Sequence, residues 1–250
     1  MATSNKRGAN DTRRAKDTRR TIKGTKRSKG TNDFDHHSKD VQPNPQISEI
    51  VLRIIAKTYF KKGYCYLGLD EENCRIFRPI MDTRVCAIRK DFCWKSCYRF
   101  QVTLNPQDNK VNFATPHPHR NEDLVVTSIV KEEKPEPFNV QILVNVAEPD
   151  IQDIFLDIQE KKYLFKNAQS PSAGILKCRS SNVYLDDHSK KSRLRIILSS
   201  GHYDFRMKAI KIDDIPKVDR EILVVLGLSR PLMAFHPARC YIIVVGLFVV

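Results

Sequence analysis

The octapeptide PHPHRNED, residues 116–123, sets His117, His119, Arg120, Glu122 and Asp123 side by side. Imidazole and carboxylate groups at that spacing can act as general acid and base, or serve a metal-assisted cleavage of phosphodiesters. Such chemistry needs a histidine oriented by a partner inside a defined pocket, and this proline-rich loop supplies neither. The chain has only nine glycines, with no glycine-rich phosphate loop, no GxSxG and no HExxH. A non-enzymatic protein is therefore expected. A metal-assisted nuclease built on His117, His119 and Asp123 is the alternative to test.

A second set of residues invites a zinc reading: Cys93 and Cys97 in CWKSC, with Cys86 before them and His117 and His119 after. Structural zinc sites use paired CxxC knuckles, whereas here three residues separate the cysteines and the histidines form His-Pro-His. No metal and no cofactor is expected. Seven cysteines, an odd number without framework spacing, point to reduced thiols and an intracellular, cytoplasmic protein.

The cations carry the strongest pattern. In KSRLRIILSSGHYDFRMKAIK, residues 191–211, Leu194, Ile196 and Leu198 fall on one side of a strand and Arg193 and Arg195 on the other. Tyr203, Phe205 and Met207 share a side of the next, which sends Arg206 and Lys208 outward with Asp204. The preceding strand offers Lys177 and Arg179. If the three pair as a meander, six cations meet on one surface, and like charges directly opposite each other are a cost that an anionic ligand removes. A sheet facing water also accepts Lys and Arg simply as solvated polar residues.

Aromatic residues accompany a second group of cations. Tyr64, Tyr66, Phe77, Trp94, Tyr98 and Phe100 interleave with Arg75, Arg78, Lys95 and Arg99. Rings that face solvent can stack bases, while most rings in a small β domain belong to its core. Trp94 and Tyr98, in the polar stretch DFCWKSCYRF, are expected to be the exposed ones.

Charge is concentrated at the start of the chain. Residues 1–30 hold eleven Lys or Arg against two Asp, and so carry most of the net charge of +14. DTRR occurs twice, bringing Arg13, Arg14, Arg19 and Arg20. With almost no large apolar side chain, residues 1–45 cannot offset their ordering entropy and are expected to form a disordered basic tail that attracts anionic partners. No run reaches the roughly 20 apolar residues needed to span a bilayer, and the charged start is no secretory signal. No membrane partner is expected.

The remaining residues must supply the scaffold. Ile47, Ile50, Val51 and Ile54 fit a helix by spacing and a strand by β-branched content. YCYL between Gly63 and Gly68, and CRIFRPI, read as short strands. Residues 104–137 read as a loop or domain joint, and FNVQILVNV as a half-buried strand. Ile151, Ile154, Phe155 and Ile158 predict a helix whose first turn begins at Pro149 and Asp150. AGILKCRSSNVYL, RLRIIL and YDFRMKAIKI predict a meander. EILVVLGLSRP and CYIIVVGLFVV are apolar enough for central strands.

Taken in order, GYCYLG, IFRPI, PHPHRNED, SRLRIILSSGHYDF, VLGLSRP and CYIIVVGLF resemble the dual OB-containing domain proteins of bacteria over roughly residues 48–250. The resemblance implies a mainly β chain of two tandem OB-like barrels with one or two short helices, and makes the Ile47 segment a strand. It implies domains at 46–132 and 133–250 after the tail, and nucleic acid as partner, single-stranded DNA or RNA being favoured by the barrel type. Lys177, Arg179, Arg193, Arg195, Arg206, Lys208, Trp94, Tyr98, Arg13, Arg14, Arg19 and Arg20 are the candidate contacts. A scaffold that contacts a protein partner within a nucleic-acid-processing or defence complex is the second alternative.

Overall fold

The β-branched segment that spacing alone could not assign is a long strand, β1 (Ile47–Phe60). It is followed by β2 (Gly63–Asp70), β3 (Arg75–Met81), β4 (Cys97–Thr103) and β5 (Asp123–Glu133), and these five close a barrel in the order β1-β2-β3-β5-β4. The computed structural model describes residues 47–60, 63–81, 92–103, 123–133, 137–166, 168–186 and 192–250, all within the unit Pro43–Val250.

β1 serves two neighbours because it bends. Its first half pairs with β4 and its second with β2, and the register slips between Ile54 and Ala56. Such a bulge adds twist where a small barrel has to turn. β3 and β5 then pair in parallel, which completes the five-stranded connectivity of an OB barrel. Leu52, Ile54, Tyr66, Phe77, Phe92, Tyr98, Phe100, Val102 and Val126 fill the interior. Gly68 sits where a Cβ would meet Leu52 Cβ at 2.8 Å, so β2 approaches β1 as closely as it does only with glycine there.

The next elements are α1 (Gln141–Asn145), β6 (Ala147–Glu148), α2 (Ile151–Ile154) and β7 (Tyr163–Phe165). FNVQILVNV is therefore a short helix and its flanks, not the expected strand. Asn139 accepts from the Gln141 amide at 3.0 Å and starts the turn, and the apolar residues pack all around it, with Leu143 fully buried. The helix expected from Ile151 through Ile158 is present only as the single turn α2, which ends before Phe155 and Ile158 and is capped by Asp150, whose carboxylate accepts from the Gln152 amide. The expected loop at 104–137 is corrected in part, since it contains β5.

The second sheet holds β8 (Ala173–Arg179), β9 (Val183–Asp186), β10 (Arg193–Leu198), β11 (Gly201–Met207), β12 (Glu221–Leu228) and β13 (Arg239–Val249). Its order is β6-β8-β12-β13-β11-β10-β9, with β7 paired to β13. Only a 3-10 turn, Ser180–Asn182, separates β8 from β9. β8, next to one end of the path, and β9, at the other end, are thus halves of one bent segment. Taking β8 and β9 as one strand, its antiparallel partners β12 and β10, and the parallel β11–β13 pair, repeat the connectivity of the first barrel.

β12 and β13 are buried on both faces. Ile222, Val224 and Leu226 point into the second core with Leu176, Leu194, Phe205 and Leu247. Leu223, Val225, Val245 and Phe248 point the other way, against Ile55, Ala56, Leu67 and Leu69 of the first barrel. Double-sided burial explains why EILVVLGL lacks polar alternation.

Candidate functional site

Side chains of β1 and β2 face two ways. Thr58, Cys65, Ala56 and Leu67 turn toward the second sheet, while Lys57, Tyr59, Tyr64 and Tyr66 continue the interior face of the barrel toward solvent. A row of rings results. Tyr98 and Phe92 lie 4.6 Å apart, Phe92 and Tyr66 4.9 Å, Tyr66 and Tyr64 6.1 Å, and Tyr64 and Tyr59 5.4 Å. The first three are buried, Tyr64 is 37% exposed and Tyr59 72%. The Lys57 ammonium lies 4.1 Å from the Tyr64 ring centre, a cation–π contact that holds a positive charge beside the outer rings.

On the other side of the hairpin is a cleft with a volume of about 300 Å³. β1, β2 and β3 form one wall, and the segment after β11, the end of β12 and β13 form the other. A bridge from Thr58 to Ala209 and a hydrogen bond from the Ile210 amide to the Lys57 carbonyl at 3.0 Å stitch the walls together, and this places Lys208 in the cleft. Arg78 enters from β3, where its Nη2 donates to the Ser172 carbonyl at 2.9 Å, and Arg230 enters from the residue pair after β12. No carboxylate is among the described residues lining it. Burial pushes the Cys65 thiol up, against the opposing influence of Arg78 and Arg230. Burial also lowers the Arg230 guanidinium, opposed by Cys65.

The cations expected from the sequence are placed differently. Arg193 and Arg195 on β10 and Arg206 on β11 do share the outward side of their strands, with Arg193 directly opposite Arg206. Two of them are neutralised: Arg193 Nε donates to Asp204 at 2.7 Å, and Arg195 Nη2 to Asp186 at 3.1 Å. The meander of AGILKCRSSNVYL, RLRIIL and YDFRMK is present through β9, which pairs with β10 as β10 does with β11, but Lys177 and Arg179 stand on β8, which pairs with β12 and β6. Lys177 and Arg179 therefore lie on the side of β8 that carries Ala173 and Ile175, and Arg179 is held in a fork by Asp219 at 2.8 and 2.9 Å. Lys208 belongs to the cleft. Six cations do not form one surface.

The expected exposed rings are also corrected. Tyr98 is 1% exposed, and its hydroxyl accepts from the Cys93 amide at 2.9 Å, which satisfies the one polar atom that would otherwise resist burial. Trp94 is half-buried, donating Nε1–H to the Ile55 carbonyl at 3.2 Å and packing 5.4 Å from Phe248. In the barrel the exposed pair is Tyr59 and Tyr64 instead, and on the second sheet Tyr184 is exposed. The signal of the barrel pair in the sequence is TYFKKGY, two tyrosines with Lys-Lys-Gly between them.

Arg13, Arg14, Arg19, Arg20, Cys86, His117 and His119 lie outside the described residues; of the histidine loop, Asp123 begins β5. Among the described residues no group of three or more His, Cys, Asp or Glu could hold a metal ion, and no helix is long and apolar enough to cross a membrane.

No family model and no curated protein matches the sequence. Among solved structures, the chain is similar to the Ifi202 HINa domain in complex with a 20-bp double-stranded DNA, with a TM-score of 0.32 and 9% identity over 81% of this chain and 95% of that one. It is also similar to a murine DNA binding protein bound with double-stranded DNA, with a TM-score of 0.30 and 10% identity over 81% of this chain and 97% of that one.

Proposed function

We propose that the protein binds single-stranded DNA or RNA without catalysing a reaction on it, stacking bases on Tyr59 and Tyr64 and drawing the backbone toward the adjoining cations. The observation that carries this reading is the row of rings that begins in the barrel core and ends in two exposed tyrosines 5.4 Å apart. Rings anchored at one end in a packed interior are rigid platforms, so stacking a base on them orders little that was not already ordered. Stacking needs a free base face, which single strands offer and duplexes hide. The net charge of +14 adds a long-range attraction to any polyanion, steepest at low salt.

The test is anisotropy titration of the full chain with a labelled single strand and with the same sequence as duplex. Tyr59→Ala and Tyr64→Ala should each weaken single-strand binding about 5- to 150-fold, since a base stacked on a ring contributes roughly 1–3 kcal/mol. Unchanged binding in the double variant, or a duplex held more tightly than the single strand, would end this reading.

A further inference from the structure

β9 (Val183–Asp186) ends the path of the second sheet, and among the described residues β10 alone pairs with it. Its side chains reach water: Tyr184 is 54% exposed and Leu185 39%. Sheet edges are ordinarily blunted by lysine, proline or an inward-pointing charge, and Val183, Tyr184 and Leu185 include none of these. The charge that ends the strand, Asp186, accepts from Arg195 at 3.1 Å. The matching edge of the first barrel is covered. There the half of β1 beyond its bulge pairs with β2 as β9 pairs with β10, and it also meets the segment after β11, through the Thr58–Ala209 bridge and the bond from the Ile210 amide to the Lys57 carbonyl. An extended segment closes this edge in the barrel, and no described segment closes it in the second sheet.

The residues of β9 indicate what fits. A strand that pairs with its own copy about a twofold axis normal to the sheet runs antiparallel and keeps each face on the same side, so residues of one face meet residues of that same face. Centred on Tyr184, the register sets Tyr184 against the second copy's Tyr184 and Leu185 against the second copy's Val183. Ring then meets ring on the outer face. On the inner face the row Leu185, Leu194, Phe205 gains a valine that covers Leu185. Asp186 falls opposite Asn182, so no like charges meet. The adjacent registers fail: centring on Leu185 sets Tyr184 against Asp186 and Val183 against Asp187, and centring on Val183 sets Leu185 against Ser181 of the 3-10 turn. We propose that β9 is a dimer contact, pairing antiparallel with β9 of a second copy of this chain in the Tyr184-centred register and joining two second sheets into one. The contact stands on other strands than the ring row of β1 and β2 and does not depend on what binds there.

Sedimentation of the full chain over a range of loading concentrations should show a monomer–dimer equilibrium. Leu185→Lys sets an ammonium against the second copy's Val183. Because the twofold counts each substitution twice, it should weaken self-association about 10- to 100-fold. Thermal unfolding checks that this variant folds. Tyr184→Cys brings two thiols face to face across the axis and should give a disulfide-linked dimer on mild oxidation with copper–phenanthroline, read on a non-reducing gel, well above the level in the native chain. Leu185→Cys, which faces Val183, should link far less. If Leu185→Lys does not fold, the cross-linking decides alone. A chain that stays monomeric at every concentration overturns the inference and leaves the edge to a strand of another protein or to another stretch of this chain. A dimer that a folded Leu185→Lys does not weaken, or that Tyr184→Cys does not link, pairs through a different surface and overturns it too.

Discussion

Removing Glu71 should damage the fold more than removing Arg53, although the two form one ion pair. Arg53 leaves β1 at the point where that strand passes from β4 to β2, and its side chain is only 3% exposed against 27% for Glu71. Its Nε and Nη2 meet the two carboxylate oxygens of Glu71, its Nη1 donates to the Lys95 carbonyl at 2.8 Å, and its guanidinium lies 5.3 Å from the Phe138 ring centre. In Glu71→Ala the guanidinium stays behind in a site water barely reaches, and an uncompensated buried charge costs about 3–5 kcal/mol. In Arg53→Met the remaining charge is a carboxylate near the surface that can rehydrate. The loss is then the bond to Lys95, about 1–3 kcal/mol for a buried acceptor left unmade. Urea unfolding of the full chain at pH 7 measures both, with the fluorescence of Trp94, the one tryptophan in the sequence, as the signal. The double variant Arg53→Met, Glu71→Leu should recover much of the loss, because no ion remains. An Arg53→Met cost equal to or above that of Glu71→Ala refutes the argument that exposure decides the asymmetry.

Two further outcomes follow from contacts described above. The Arg179 guanidinium, with help from the Ser181 amide, holds the Asp219 carboxyl down at about 2. Its folded-state value lies below the ordinary 3.8, so whatever stability the pair contributes is present above that pH and fades as pH falls toward 2. A carboxyl-detected NMR titration should place the midpoint near 2 and move it back toward 3.8 in Arg179→Gln; a midpoint unmoved by that substitution contradicts the assignment. Gly174→Ala would set a methyl 2.4 Å from Ile154 Cγ2, an overpacking that costs about 1–3 kcal/mol. In an Ile154→Ala background the same change should cost little, and an equal penalty in both backgrounds would show that packing against Ile154 is not the cause.

Much of the barrel scaffold was legible because runs such as EILVVLGL and CYIIVVGLF can only be strands buried on both sides. The periodicity of β1 misleads for the same physical reason. Leu52, Arg53, Ile54, Ile55 and Ala56 are all buried around its bulge, so no two-residue alternation survives there to be read. FNVQILVNV errs in the opposite direction, its alternation arising from a helical turn wedged among apolar neighbours. The candidate contacts were less legible, because neutralising partners come from elsewhere in the chain: Asp219 reaches Arg179 across 40 positions, and Asp186 reaches Arg195 from a neighbouring strand. Alternation predicts which way a side chain points. It does not say which acid waits there. Arg78, Lys208 and Arg230 are farther apart still, and only the docking of the second sheet on the barrel brings them to one cleft.

That docking has a consequence for how the molecule can be divided. Leu223, Val225, Val245 and Phe248 are shielded from water by Ile55, Ala56, Leu67 and Leu69, so either half expressed alone would present a broad oily flank and tend to clump. With β12 and β13 as a party wall, the barrel and the second sheet stand or fall as a pair, and the spacing between hairpin and cleft is built in rather than set by a flexible joint.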